Sequence, residues 1–347
     1  MNIALVHDQL NEFGGAERVL LAMSEIWPEA PMYTAYCKKG SPAAERFKNR
    51  DIRTSWMQPL SKFASPLRFL APTIWNSFDF SKYDVILGSS SWYVTKGFVK
   101  KGKAIEICYC HTPPRWLYGY PTSVNWQKYP IVRAYATVVG FFMRQYDFNA
   151  AKRVDYFIAN SKETQKRIQK FYRRDSVVIY PPIDLPKVSN VKKGNYYLFV
   201  SRPVGGKGLD IAVAACKKLG VPLKVVGADG VHVTDATLAK LYAGAKAFLA
   251  LATDEDFGMT PVEAMSFGTP IIAYAGGGYK ESVIDPSAGS GRATGILFTG
   301  DLASAIQRFE KMTFKPEDCI AQAKKFSKSR FKKELKEYVW KCYQSKT

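Results

Sequence analysis

The sequence predicts an α/β protein made of two doubly wound domains. Near the N-terminus, an apolar run, a glycine-containing loop and an apolar-periodic helix follow one another over residues 3–27. The same order of elements starts again at residues 197–219. A proline-rich stretch at residues 181–186 separates the two, and proline cannot occupy a central strand because it donates no ladder hydrogen bond. With 347 residues, the chain is long enough for two domains that each bury a core.

Composition narrows the class of protein. Apolar residues form 47% of the chain, which is typical of a globular protein. The six cysteines include no CxxC pair, so we expect free thiols in a reducing compartment rather than zinc or thioredoxin-like chemistry. We expect no secretory signal, because Asn2 leads directly into a strand without a charged segment before it. We expect no membrane span either, because the best apolar stretch, Ile131 to Met143, is short and contains Arg133. These features predict a cytoplasmic protein.

The formal net charge of +20 is large. A solvated basic surface would explain it, but such an excess also favours anionic partners, namely nucleic acid, phosphates or an anionic membrane face. Residues 46–80 and 133–144 mix basic and aromatic side chains and could rest on a membrane surface. Core packing is the competing expectation, and the favoured one, for the aromatic residues of both stretches: Trp56, Phe63, Phe69, Trp75, Tyr135, Phe141 and Phe142.

The first domain begins with a strand, Ile3 to His7, followed by a loop with Gly14-Gly15 and a helix over residues 16–27. This order is typical of the phosphate-side corner of a doubly wound sheet, although the GxGxxG fingerprint is absent. An ordinary strand–helix turn would look the same. Further strands are expected at residues 32–37, 85–88, 104–109, 156–159 and 177–180.

His111 follows the strand at residues 104–109, in the segment CYCHTPPRWLYG. A lone histidine is usually structural. This one comes just after a strand end, at the same sheet edge as Gly14 and Gly15, where open α/β sheets bind ligands. The position therefore favours a role in a site.

The second domain repeats the strand–loop–helix unit with two cations in its loop. Arg202 and Lys207 stand in RPVGGKG, between a strand at Tyr197 to Ser201 and a helix at Leu209 to Leu219. The spacing does not fit a Walker A loop. A planar guanidinium and a point-charge ammonium beside a glycine-rich turn suit a diphosphate. Two ordinary surface cations are the alternative.

Residues 247–268 hold the most informative pattern. An apolar strand is followed by an acidic turn with Gly258, and Pro261 stands where we expect the next helix to begin. The turn and helix start offer free N–H groups to an anion, while Glu255 and Glu263 could hold hydroxyl groups on either side of it. A nucleotide sugar has this arrangement. Alternatively, Glu263 in a first helical turn could do no more than complement the helix dipole. The acidic residues at 254–256 could also hold a metal. Gly258 and Pro261 favour the phosphate interpretation over a metal site.

Three segments together resemble one protein family. EDFGMTPVEAMSFGTPIIA closely resembles the E-x7-E signature of the retaining GT-B glycosyltransferases of family 4, and IALVHDQLNEFGGAERVL and FVSRPVGGKGLDIAV resemble the same family. The resemblance spans most of the chain. It implies two Rossmann-like domains that face one another across a cleft. The acceptor domain would be residues 1–184 and the nucleotide-sugar domain residues 185–326, with the last helix, in residues 327–347, crossing back to the first domain.

The resemblance also implies a role for each site residue. Arg202 and Lys207 would stabilise the charge on the β-phosphate, so that no divalent metal is required. Glu255 would hold the transferred sugar, Glu263 the ribose, and His111 would contact the sugar from the other domain. The remaining donor-site residues would bring backbone close to the phosphates or the acceptor: Gly14, Gly15, Gly258, Met259 and Thr260.

The motifs look most like those of bacterial mannosyltransferases that use GDP-mannose, with UDP-sugar donors as the alternative. The implied reaction moves a hexose, with retention of configuration, onto a saccharide or lipid-linked saccharide in polysaccharide synthesis. A peripheral contact with the inner membrane face would suit such an acceptor. Two other classes stay open: a basic nucleic-acid-binding protein, for which no recognition module is present, and a non-catalytic sugar-binding protein, which would usually carry an export signal.

Overall fold

The computed structural model describes residues 1–122, 129–185, 192–201, 206–227, 233–289 and 291–346. These residues form two compact units. The first comprises residues 1–120, 129–182 and 329–346, and the second comprises residues 183–328 together with residues 121 and 122. The sequence predicts the two domain boundaries after residues 184 and 326.

The first unit is built on a sheet of seven parallel strands in the order β3-β2-β1-β4-β5-β6-β7. The strands are β1 Ile3–His7, β2 Met32–Thr34, β3 Ile52–Thr54, β4 Val85–Ser90, β5 Ile105–Cys110, β6 Tyr156–Ala159 and β7 Val177–Val178. The order reverses between β1 and β4, where His7 lies in register with Ser89. Open α/β sheets bind ligands outside the carboxyl ends of their strands at such a reversal point.

Helices cover both faces of this sheet. They are α1 Gly15–Ile26, α2 Pro42–Arg46, α3 Ala71–Asn76, α4 Pro130–Arg153 and α5 Lys162–Tyr172, with 3-10 turns at Gln58–Phe63 and Pro66–Leu70. Local sequence fixes their ends: the Ser161 hydroxyl caps α5 by accepting from the Thr164 N–H at 3.0 Å, which satisfies one of the unpaired donors at the helix start.

The second unit is built on five parallel strands in the order β12-β11-β10-β8-β9. The strands are β8 Tyr197–Val200, β9 Leu223–Val226, β10 Ala247–Ala250, β11 Ile271–Tyr274 and β12 Gly295–Phe298. Its helices are α6 Leu209–Leu219, α7 Asp235–Gly244, α8 Met259–Ser266, α9 Tyr279–Ser282, α10 Leu302–Glu310 and α11 Pro316–Lys324. Here the order reverses between β8 and β10.

The C-terminal helix, α12 Lys328–Gln344, belongs mainly to the first unit. Its apolar stripe, Phe331, Leu335 and Val339, is fully buried in the same core as Leu5 of β1. The return of the last helix to the first unit agrees with the expectation from the sequence, and the two parallel α/β sheets confirm the predicted fold class. All six cysteines are described, and none forms a disulfide.

Two local expectations were wrong. The strand expected over residues 32–37 ends at Thr34, and beyond it only Cys37 pairs, in an isolated bridge with Leu10. Of the aromatic residues expected in the core, only Trp75 is buried. The others are substantially exposed: Trp56, Phe63, Phe69, Tyr135, Phe141 and Phe142. Helical spacing places side chains on one face but does not show whether another element covers that face.

Candidate functional site

The reversal point of the second sheet brings together two side chains that the sequence singled out. Lys207 lies in the loop after β8, and Glu255 lies in the loop after β10. The ammonium Nζ of Lys207 donates to Oε2 of Glu255 at 2.6 Å. Neither side chain is fully buried, with relative exposures of 36% for Lys207 and 18% for Glu255. The pair therefore sits where an incoming ligand can reach both charges.

Backbone packing fixes this pair. Gly208 has a left-handed φ of +80°, and a Cβ at this position would lie 2.7 Å from Cβ of Leu251. Only glycine allows the loop to pass so close to the end of β10, which places Lys207 beside the acidic turn. On the other side of the turn, the N–H of Gly278 donates to the carbonyl oxygen of Glu255 at 2.8 Å.

Tyr279 gives Glu255 a second partner. It is the first residue of α9, its ring is buried, and its hydroxyl lies 3.4 Å from Oε2 of Glu255. Burial, together with the charge of Glu255, raises the pKa of the Tyr279 hydroxyl well above its usual range. The hydroxyl therefore stays protonated and donates to the carboxylate. The ring fills the space that a side chain at Gly258 would need.

Helix α8 starts earlier than expected. It begins at Met259, after Gly258 in the left-handed conformation at the N-cap, so Pro261 is the third helical residue and not the first. Glu263 is consequently the fifth residue rather than part of the first turn. Because the dipole effect fades beyond the first turn, helix-dipole complementation explains Glu263 less well than the sequence suggested. Met259 and Thr260 lie at the helix start, where N–H groups have no partner within the helix.

A tyrosine also holds Glu263. The hydroxyl of Tyr242, on α7, lies 3.0 Å from Oε2 of Glu263. The Tyr242 ring stacks on Phe267 with an interplanar angle of 17°, which fixes the direction of the hydroxyl. Each glutamate of the E-x7-E pattern thus has its own buried tyrosine. Arg202, the other predicted diphosphate ligand, lies outside the described residues.

In the first unit, His111 belongs to a chain of polar groups across the reversal point. Its Nε2 lies 2.8 Å from the Ser89 hydroxyl, which in turn lies 2.9 Å from Nδ1 of His7. Nε2 of His7 is 3.6 Å from Oε1 of Glu17. Burial raises the pKa of Glu17, but the His7 ring and the N–H groups of Gly14 and Glu17 together hold this pKa below its ordinary value.

The same Glu17 closes the first loop. Its Oε2 accepts from the N–H of Gly14 at 2.8 Å, and Gly15 is the first residue of α1. The sequence singled out His111, Gly14 and Gly15 but missed His7, Ser89 and Glu17. A signal was present for the first two of these, because each lies at the carboxyl end of a strand, β1 or β4, where parallel sheets place their sites.

The described residues contain no group of three or more histidine, cysteine, aspartate or glutamate side chains placed to hold a metal ion. They also contain no helix whose length and apolar character would let it cross a membrane.

Two family models match the chain. The model described as Glycosyltransferase Family 4 matches residues 13–187, just over half of the 347 residues. The model described as Glycosyl transferases group 1 matches residues 230–326, a range that contains Glu255 and Glu263.

Curated relatives match over shorter stretches. A glycogen synthase of Bordetella petrii is 36% identical over 91 residues, which are 24% of this chain and 18% of that protein. An uncharacterized glycosyltransferase of Methanocaldococcus jannaschii is 28% identical over 151 residues, which are 38% of this chain and 43% of that protein. The matched part is thus less than half the length of each relative.

Solved structures match over nearly the whole chain. HepE of Anabaena in complex with UDP has a TM-score of 0.68 at 18% identity, covering 98% of this chain and 100% of that one. A sucrose-phosphate synthase of Thermosynechococcus elongatus has a TM-score of 0.73 at 15% identity, covering 99% of this chain and 100% of that one. At these identities the likeness establishes the fold alone, in agreement with the GT-B class expected from the sequence.

Proposed function

The chain belongs to glycosyltransferase family 4, and from this premise we propose that it transfers a hexose from a nucleoside diphosphate sugar to a saccharide or lipid-linked saccharide. One observation carries the proposal. Lys207 and Glu255 meet at the reversal point of the second sheet, with Glu263 one turn into the helix that follows. The cation and the helix start suit the diphosphate of a nucleotide sugar. The two oriented carboxylates suit the hydroxyl groups on either side of that diphosphate.

In the proposed reaction, the bond between C1 of the sugar and the β-phosphate oxygen breaks while an acceptor oxygen forms a new bond to C1. The acceptor hydroxyl proton passes to the departing phosphate, and the sugar keeps its anomeric configuration. Negative charge grows on the β-phosphate. Lys207, Arg202 and the N–H groups at residues 258–260 would stabilise that charge, and no step of this scheme uses a divalent metal.

The two glutamates would divide the donor between them. Glu255 would accept hydrogen bonds from the transferred sugar, and Glu263 from the ribose, each oriented by its tyrosine. In this scheme Lys207 would leave Glu255 and bind the diphosphate, because the diphosphate would compete with Glu255 for the ammonium group. His111 is proposed as a further contact to the transferred sugar, on the resemblance of its segment to the family.

For the donor we propose GDP-mannose, on the likeness of residues 255–278 and of YCHTPPR at residues 109–115 to mannosyltransferase motifs. UDP-glucose is the second candidate. It is favoured by a specific observation, namely that HepE, which shares the fold, is known in complexes with UDP and with UDP-glucose.

The formal net charge of +20 supports a peripheral contact with the anionic inner face of the cell membrane, where a lipid-linked acceptor would be reached. Nucleic acid is not a proposed partner, because a site built around two carboxylates does not suit a polyanion.

A thermal-shift panel tests the proposal. GDP-, UDP- and ADP-sugars are added separately to the protein, with and without EDTA, and donor hydrolysis is measured in parallel. We expect stabilisation by GDP-mannose, or by UDP-glucose in the second case, and hydrolysis that persists in EDTA. A protein that no nucleotide sugar stabilises would overturn the proposed function. Hydrolysis that EDTA abolishes and magnesium restores would overturn metal independence and direct attention to Asp254 and Asp256.

A further inference from the structure

The first unit concentrates its exposed apolar side chains on one surface, formed by residues 56–69 and 129–142 and called here the apolar surface. Of the eighteen large apolar side chains that are exposed in the described chain, eleven lie on it. Their exposures reach 85% for Ile131, 67% for Phe142 and 62% for Phe63. The eleven are Trp56, Leu60, Phe63, Phe69, Tyr129, Ile131, Val132, Tyr135, Val138, Phe141 and Phe142. An exposed concentration of this kind marks an interaction site.

The two segments are joined in one surface. The hydroxyl of Tyr135, on α4, donates to the carbonyl oxygen of Pro66. Leu67 from the first segment, and Leu70 directly after it, pack against the same buried cluster as Val139 and Tyr146 from α4. The apolar surface is therefore anchored from beneath while its outer side chains face away from the core.

The charges carried by the two segments of the apolar surface have a single sign. Residues 52–78 contain no aspartate or glutamate, and neither do residues 107–146. The cations Lys62, Arg133 and Arg144 are exposed within these segments. The surface thus combines apolar side chains with positive charge and offers no carboxylate from its own segments to neutralise that charge.

Arg68 is a cation built into the edge of this surface. Its side chain is half-buried, with the guanidinium carbon 4.8 Å from the centre of the Trp92 ring and Nη2 donating to the Ser65 hydroxyl at 3.2 Å. Its Nε is buried and has no acceptor. Within the described ranges, no carboxylate forms an ion pair with Arg68.

A buried carboxylate fixes the loop whose Trp92 ring lies against Arg68. Oδ2 of Asp8, at the carboxyl end of β1, accepts from the N–H of Ser91 at 2.8 Å and from the N–H of Trp92 at 2.6 Å. Both hydrogen bonds hold Asp8 to this loop, and in the described part of the chain no ion pair joins Asp8 to Arg68. A half-buried guanidinium stacked on an aromatic ring is a suitable ligand for phosphate.

We propose that the apolar surface docks on an anionic phospholipid leaflet, with its apolar side chains at the acyl boundary and Arg68 bound to a lipid phosphate. This deepens the proposed function by naming the membrane-facing residues, and it rests on that function only for the lipid-linked acceptor. Aliphatic side chains such as Ile131 and Val138 gain from an apolar phase, which neither nucleic acid nor a water-soluble acidic protein surface provides. A bilayer interface offers that phase and phosphate charge within about 5–10 Å of each other.

Vesicle co-sedimentation of the full chain tests the proposal. The probes are vesicles of phosphatidylcholine alone and vesicles of phosphatidylcholine mixed equally with phosphatidylglycerol, each at low and high salt. Val138→Ser is compared with Val99→Ser, because these valines lie in the same unit and are equally exposed, at 60% and 59%. Arg68→Gln is compared with Arg50→Gln, which removes the same charge from a half-buried arginine outside the apolar surface.

We expect the wild-type protein to prefer the mixed vesicles and to lose part of that binding in high salt. Val138→Ser should weaken binding roughly tenfold at both salt concentrations, since it removes buried apolar area. Arg68→Gln should weaken it roughly fivefold at low salt and much less at high salt. The two control variants should bind like the wild type.

Three results would overturn the proposal: equal binding of the wild type to both vesicle types, no binding to either, or losses in the controls that match those of the test variants. A short DNA duplex could instead compete with the vesicles for the protein. If Val138→Ser leaves this DNA binding unchanged, the partner is a polyanion and not a membrane. Nucleotide-sugar thermal shifts, measured on the same preparations, separate this surface from the donor site. If they stay wild-type while vesicle binding is lost, only docking has changed; if no nucleotide sugar binds while docking persists, only the proposed function fails.

Discussion

Lys207 and Glu255 form a 2.6 Å ion pair between the loops that follow two neighbouring strands of the second sheet. Each charge has the other as its partner, so a diphosphate that draws Lys207 away also releases the carboxylate of Glu255. A released carboxylate can accept sugar hydroxyl groups, while Tyr279 keeps it in place. Donor binding would in this way exchange one internal ion pair for two contacts to the ligand.

Replacing Lys207 tests the charge that the proposed reaction needs. Lys207→Ala should lower kcat on the order of 10²–10³-fold, since charge grows on the leaving phosphate in the transition state. Lys217→Ala, on α6 of the same unit, is the control for loss of an exposed positive charge and should leave kcat unchanged. Steady-state kinetics of donor hydrolysis give the answer. A Lys207→Ala enzyme with wild-type kcat would remove Lys207 from the mechanism.

Removing the Tyr279 hydroxyl tests whether this group positions Glu255 without contributing to nucleotide binding. Tyr279→Phe should leave the affinity for free nucleoside diphosphate unchanged. It should weaken binding of the nucleotide sugar by ~1.5–3 kcal/mol, the value of a hydrogen bond to a charged group. Tyr196→Phe is the control, because its hydroxyl bonds the carbonyl oxygen of Leu241 instead, at 2.8 Å. Equal losses for the nucleotide and the nucleotide sugar would show that Tyr279 acts on the fold and not on Glu255.

The chain of polar groups in the first unit predicts an effect on turnover. Ser89→Ala removes the hydroxyl that joins His7 to His111, at a cost of about 1–3 kcal/mol for the buried groups left unpaired. We expect a lower kcat and an unchanged nucleotide affinity. Ser24→Ala removes a buried hydroxyl that bonds only within α1, to the carbonyl oxygen of Leu21 at 2.9 Å, and should leave kcat unchanged. A wild-type kcat in Ser89→Ala would contradict a role for these polar groups in turnover.

Glu106 gives a pH-dependent contribution to stability. Its carboxylate is fully buried, and burial raises its pKa to about 7 from 4.5. A carboxyl with a raised pKa in the folded state favours folding at low pH, and this contribution is lost as the pH rises through about 7. The difference in pKa corresponds to about 3 kcal/mol. We therefore expect the free energy of unfolding, measured with urea, to fall less between pH 5 and pH 8 for Glu106→Gln than for wild type.

The control for that measurement is Glu45→Gln, at a side chain that is 68% exposed, and its pH dependence should match the wild type. If Glu106→Gln loses as much stability between the two pH values as the wild-type protein does, another group is responsible.

Sequence reasoning located the buried strands because buried parallel strands appear as short apolar runs, such as Ile3–His7 and Ala247–Ala250. It missed β3, Ile52–Thr54, which is only partly buried and has no such run. It also selected Lys207 and Glu255, which follow strands that neighbour each other at the reversal point. It did not identify Tyr279 as the partner of Glu255, or Tyr242 as the partner of Glu263. Those contacts arise from helices packing together, and no local spacing encodes them.

The same limit applies to the first unit. His111 was selected alone because the register of β1 with β4, which places His7 beside Ser89, is a tertiary property. The exposed aromatic residues of α4 were assigned to the core for a related reason. Their spacing is helical, but the sequence does not show which helix face finds a partner.

The most direct test of the account is calorimetric titration of GDP and UDP into wild-type protein, Glu263→Ala and Glu317→Ala. Glu317 is an exposed glutamate in the first turn of α11, so its variant measures what a glutamate near a helix start contributes without a ligand role. The account predicts that one of the two nucleotides binds the wild-type protein and Glu317→Ala equally. It predicts that Glu263→Ala loses ~1.5–3 kcal/mol of that binding for each hydrogen bond removed. Unchanged nucleotide affinity in Glu263→Ala would contradict the assignment of the donor site to the second sheet's reversal point.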